Sequence, residues 1–139
     1  MKTIDFYITP FKNFADSIEF CCKLVLKAYQ CSKSCIIYTE TIEATQHLDA
    51  ALWERNKEHF IPHHINPVDP QQLIVVQPHA QESLPIWINC RSADKIAPNS
   101  SWERCLQIVP NNPELLQTAR HQYRHYEATG ATINTHKIG

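Results

Sequence analysis

The stretch "SCIIYT", residues 34–39, decides the fold. Its apolar side chains alternate onto both sides of an extended chain, so a strand here is apolar on both faces. Strands of that kind belong inside a sheet covered on both sides. Upstream, "TIDFYIT" (3–9) alternates Ile4, Phe6 and Ile8 with Asp5 and Tyr7, the pattern of another strand. A helix is expected from about Asn13 to Gln30, with Phe14, Ile18, Cys21, Cys22, Val25 and Tyr29 along one side, and a second from Thr41 to Trp53. Strand, helix, strand, helix is the signature of a parallel sheet with covering helices. The fold expected is α/β: a single three-layer α/β/α domain over residues 1–139 with a mostly parallel central sheet.

After Pro62 the chain turns irregular, because the prolines of "HHINPVDPQQ" break both helix and sheet. "LIVV" (73–76), "PIWIN" (85–89) and "CLQIV" (105–109) supply three further strands, with a polar loop or short helix over 93–102. The last helix carries the clearest end signals. Asn112 can cap it, Pro113 suits the first helical position, Glu114 faces the positive end of the dipole, and Gly130 suits the stop. Leu115, Ala119 and Tyr126 share the side expected on the sheet, while Leu116, Arg120, Tyr123 and Arg124 form the adjoining flank.

Composition narrows the function. The chain is 139 residues long, 43% hydrophobic and has a net charge of −1 with scattered Lys and Arg, which suits one core and gives no support for wrapping phosphates. No apolar run approaches the roughly 18 residues of a membrane span, and "MKTIDFYITP" lacks a signal core, so a cytoplasmic protein is expected. Of six cysteines, Cys21 and Cys22 fall in a helical apolar repeat and Cys90 and Cys105 adjoin strand-like runs, which reads as buried thiols rather than a disulfide framework. Cys31 and Cys35 have CxxxC spacing without a second pair to complete a zinc site.

Known catalytic patterns find little purchase. The chain has two glycines, Gly130 and Gly139, so neither GxGxxG nor GxxxxGK[ST] follows the first strand, and no GxSxG exists. A metal-dependent enzyme would draw on His63 and His64 after Pro62, or on His121 and His125 on the last helix, where the wheel points that pair to solvent. A direct single-strand binder would stack bases on Trp53 and Tyr123 beside the arginines, against the charge balance. No cofactor is expected.

"LDAALWERNKEHFIPH" (48–63) poses a different question. Leu48, Ala51 and Leu52 mark a buried side, and Trp53 falls on the other; Phe60 follows in a charged segment. Aromatic side chains outside a core usually bury against another surface.

Taken together, "DFYI" at the start, "LDAALW" followed by "HFIPH", and "QIVP", "ARHQYRHY" and "GATINT" at the end resemble the chi subunit family of the bacterial DNA polymerase III holoenzyme over nearly the whole length. The resemblance implies a non-catalytic accessory protein of the clamp-loader assembly, paired with the psi subunit and holding the C-terminal tail of single-stranded DNA-binding protein, without touching nucleic acid or membrane itself. It places Trp53 and Phe60 on the psi-facing surface, which in the family also serves an iron-sulfur DNA helicase exclusively of psi. That tail is acidic and ends in an apolar ring and a free carboxylate, so its receptor needs a basic clamp beside an apolar pocket. Arg120, Tyr123 and Arg124 fit the clamp, Arg120 as the carboxylate-binding group, and the resemblance adds Val109 and Pro110 as pocket wall. Two departures stand out: Leu116 occupies a position where the family pattern carries lysine, and the loop "INPVDPQQ" differs in composition and length.

Overall fold

The computed structural model describes residues 2–55, 60–77, 84–91 and 103–138. Among these, strands β1 (Thr3–Ile8), β2 (Cys35–Thr39), β3 (His63–Ile65), β4 (Gln72–Val75), β5 (Ile86–Cys90), β6 (Arg104–Val109) and β7 (Thr132–Lys137) form one sheet in the order β3-β4-β2-β5-β6-β1-β7. The run β2-β5-β6-β1-β7 is parallel throughout, and β4 pairs antiparallel with both β2 and β3. The mostly parallel sheet expected from residues 34–39 is therefore present.

Helices α1 (Ile18–Gln30), α2 (Ile42–Arg55) and α3 (Pro113–Ala128) cover it. The expected start of the first helix at Asn13 is instead a 3₁₀ turn, Ala15–Ser17, where the Asn13 side chain accepts from the Asp16 N–H at 2.8 Å and Ser17 Oγ donates to the Asn13 carbonyl at 3.0 Å. Thr41 Oγ1 accepts from the Ala44 N–H at 3.0 Å and so caps α2. At α3, Asn112 accepts from the N–H groups of Glu114 and Leu115, and Gly130 leaves the helix at φ +80°, a conformation that strains any L side chain.

Each face of the sheet has its own core. On one, Leu24, Val25, Leu48 and Leu52 of α1 and α2 meet Ile37, Leu73, Ile88 and Ile108. On the other, Tyr126 of α3, with Leu116 and Ala119 beside it, meets Ile4, Phe6, Trp87, Cys105 and Val109. The strand register explains the division, since odd and even positions of β6 and β5 go to opposite sides. An exposed Arg55–Glu19 ion pair also links α2 to α1, worth at most about 1 kcal/mol at such a site.

Two strands depart from the sequence reading. The irregular segment after Pro62 contains β3, a three-residue edge strand too short to show alternation. The segment after Gly130 is β7, registered on β1 from Thr3↔Thr132 to Ile8↔Lys137, although "TINTHK" has a single aliphatic residue. Cys21, Cys22, Cys90 and Cys105 are buried thiols as expected, Cys35 is buried as well, and Cys31 is exposed. Burial pushes the thiols of Cys22 and Cys35 up to about 12, so they stay protonated and unreactive. The loop or short helix expected over 93–102 lies outside the described residues.

Asp5 is the unexpected member of β1. It is the charged residue between Ile4 and Phe6, yet it is 1% exposed. Arg104 Nε of β6 donates to its Oδ2 at 3.0 Å, Asn134 Nδ2 of β7 donates to Oδ1 at 3.2 Å, and His136 Nε2 lies 2.9 Å from the same oxygen. One carboxylate thus ties three neighbouring strands together. Burial pushes its acidity down, but the bonds from His136 and Arg104, the Arg104 charge and the Asn134 amide outweigh that and hold the carboxyl below its ordinary 3.8.

Asp5→Asn should lower stability at neutral pH. Arg104 and His136 are each about half exposed and can regain water, so the cost is about 1–3 kcal/mol rather than that of a fully buried pair. Because the folded-state pKa is depressed, this contribution is present above 3.8 and lost as pH falls through the lower folded value. Urea midpoints of wild type and variant should therefore differ at pH 7 and converge in acid; equal midpoints at pH 7 would remove the account of Asp5.

Candidate functional site

The C-terminal half of α2 carries the first surface. Leu48 and Leu52 turn inward and Trp53 turns out, 43% exposed, with its ring 5.4 Å from that of Phe60, which is 72% exposed. Sequence reasoning placed both rings outside the core, and the structure brings them together. An apolar patch at the β3 edge of the sheet results.

Under that patch lies His63, which sequence reasoning treated as a loop histidine. It is instead the first residue of β3 and is buried. Its ring is 4.1 Å from the Trp53 ring, with Nδ1 2.7 Å from the Ile61 carbonyl and Nε2 3.1 Å from the Asp49 carbonyl and 3.3 Å from the Asp49 carboxylate. Both ring nitrogens thus face acceptors, one on α2 and one on the segment that carries Phe60. The imidazole joins the two pieces of backbone that present the two aromatic rings. Its only sequence signal was its place after Pro62, which says nothing of the carbonyls it meets.

On the opposite face, α3 presents the second surface. Arg120 and Arg124 are exposed, and Tyr123 is partly covered by Phe6, ring centroids 5.8 Å apart. Arg120 Nη1 donates to Gln117 Oε1 at 3.4 Å, and Arg124 has no ion pair among the described residues. Leu116 packs half-buried on the core beside them. Val109 and Pro110 are buried, and they line a cavity of about 10 Å³ with Phe14, Arg91, Leu115 and Gln122. The helical wheel turns Leu115 and Gln122 to the flank away from Arg120 and Arg124. The structure therefore gathers Arg120, Tyr123 and Arg124 on one side of α3 and keeps Val109 and Pro110 beneath the other.

The histidines considered for metal chemistry do not converge. His64, His121 and His125 are exposed, His121 lying 3.3 Å from the Gln117 amide nitrogen, and His63 is held by carbonyls. Among the described residues no group of three His, Cys, Asp or Glu side chains comes together, and no helix is long and apolar enough to cross a membrane.

The hydrogen bonds and the ring stack of His63 can be separated. His63→Phe keeps a ring under Trp53 and removes the polar contacts to the Ile61 and Asp49 oxygens, which should cost about 1–3 kcal/mol by urea unfolding. His63→Ala should cost more, because the stack goes too and a cavity is left. Equal losses would mean that the ring contact contributes nothing.

The family model described as DNA polymerase III chi subunit, HolC, matches residues 1–134. The chain is 25% identical to DNA polymerase III subunit chi of Pseudomonas aeruginosa, over 99% of its own length and 98% of that protein. It is 25% identical to the subunit of the same name from Escherichia coli, covering 97% of each, and 23% identical to that of Haemophilus influenzae, covering 99% of each. A match along almost the whole chain, over a sheet and helices with two separate exposed surfaces, shows that the protein belongs to the DNA polymerase III chi subunit family.

Proposed function

We propose that this chain is a two-sided adaptor of the replication machinery, acting in the cytoplasm, which joins the psi subunit of the clamp loader to the C-terminal tail of single-stranded DNA-binding protein. As a chi subunit it is a replication accessory protein without a catalytic site of its own. Trp53 and Phe60 form the psi-binding anchor, since paired exposed aromatic rings on a rigid support dominate interface energies out of proportion to their area. An iron-sulfur DNA helicase would compete with psi for the same patch. Arg120, Tyr123 and Arg124 form the receptor for the tail, Arg120 taking the terminal carboxylate in a bidentate charge-assisted bond. Val109 and Pro110, buried beneath the other flank of α3, contribute by supporting the helix that carries this receptor. Leu116 in place of a lysine removes one cation from this receptor and lowers its dependence on salt.

The observation that carries this reading is the separation of the two surfaces. His63 beneath Trp53 is on β3, one edge of the sheet, and α3 packs over β6 and β7 at the other edge, on the opposite face. Seven strands leave six spacings of about 4.8 Å each, or ~29 Å between the edges. Two proteins can be held at once across that distance. A weak second attachment of a complex already tethered acts at a high effective concentration, so neither contact has to be tight alone.

The test is fluorescence anisotropy of a labelled C-terminal peptide from the same organism's single-stranded DNA-binding protein. Wild type should bind it, and Arg120→Ala should weaken binding by about tenfold or more, equivalent to ~1.4 kcal/mol. Trp53→Ala should bind the peptide as wild type does while losing psi in a pull-down. No binding by folded wild type would eliminate the tail receptor, and psi retained by Trp53→Ala would eliminate the aromatic anchor.

A further inference from the structure

A trough on the face shared by α1 and α2 belongs to neither surface. Leu24, Lys27, Ala28 and Cys31 follow the i, i+3, i+4, i+7 rule along one flank of α1 and line it together. The facing wall is sheet, with Tyr7 of β1, Arg104 and Leu106 of β6, and Ile86 of β5 at its foot. The cavity between them measures about 350 Å³, within the range of small-molecule sites.

Its chemistry is split between floor and rim. Leu24, Ala28 and Leu106 are buried and make an apolar floor. Lys27, Lys33 and Arg104 bring three cations to the lining against the single carboxylate of Glu103. Neither lysine has an acidic partner among the described residues, and Arg104 gives Nε to Asp5, which also fixes the direction of its guanidinium. Lysine ammonium groups on flexible stems and a guanidinium already oriented beside an apolar recess favour an anion attached to an apolar body.

We propose that this trough is a binding site for an amphiphilic organic anion, a small molecule whose apolar body lies on Leu24, Ala28 and Leu106 and whose carboxylate, sulfonate or phosphate group is met by Lys27, Lys33 and Arg104. The site shares no residue with the Trp53 and Arg120 surfaces and does not depend on either partner. Cys31 supplies a built-in reporter at its rim, because the other five cysteines are buried.

The probe is anilinonaphthalene sulfonate, an apolar aromatic body with one sulfonate, titrated into the full chain with its fluorescence followed. Saturable one-to-one binding is expected. Blocking Cys31 with a bulky maleimide should abolish it, the probe should slow that labelling in return, and the double variant Lys27→Glu, Lys33→Glu should weaken binding about tenfold or more. Circular dichroism of the blocked and double-variant proteins must match wild type, which separates loss of the site from loss of the fold. Trp53→Ala should leave the signal unchanged. Absence of binding, binding indifferent to the Cys31 block and the charge reversal, or binding removed by Trp53→Ala would each overturn the proposal.

Discussion

A parallel strand apolar on both sides must be covered on both sides, and the rest of this molecule follows from that requirement. α1 and α2 cover one face over β2, β5 and β4; α3 covers the other over β6 and β7. The helices that carry the exposed Trp53 and the exposed arginines are therefore on opposite sides of the sheet. Crossover direction produces this result. The chain moves from β1 to β2 in one direction along the sheet and from β6 to β7 in the other, and right-handed connections put the two sets of helices on opposite faces.

Local patterns expose this logic where burial is one-sided or complete. The strand at 34–39 read as apolar on both faces because Ile36 and Ile37 point to opposite sides, and the caps of α3 could be recognised because Asn112, Pro113 and Gly130 each act within a few residues of themselves. β7 could not be recognised in this way. Its place beside β1 is set by Asp5, which receives Asn134 and His136 about 130 residues further along the chain, and pattern rules see no such distance. β3 was hidden for a related reason, since three residues between prolines become a strand by pairing with β4.

The partner surfaces divide along the same line. Trp53 declared itself by sitting opposite Leu48 and Leu52 on one helix, and Arg120, Tyr123 and Arg124 by falling on one flank of another. Those are properties of a single element. Phe60 lies beyond the end of α2, and its approach to Trp53 depends on His63 joining the Asp49 and Ile61 carbonyls, a contact between elements that no periodicity encodes. Val109 and Pro110 illustrate the reverse case. Their nearness to α3 was legible from the strand before it, but the rotation of the helix, which puts them beneath the flank of Gln122 rather than that of Arg120, is set by tertiary packing.

Two weak or moderate contacts on opposite faces make an adaptor only if occupying one leaves the other intact. A sheet with close-packed cores on both sides is a stiff spacer for this purpose, since such interiors deform little. The most direct measurement compares the affinity of the labelled single-stranded DNA-binding protein tail for the free chain with its affinity for the chain already saturated with psi. The account predicts the same dissociation constant within about twofold, equivalent to less than ~0.5 kcal/mol of coupling, and a ternary complex at saturation. Displacement of the tail peptide by psi would contradict it, because the two partners would then share one surface.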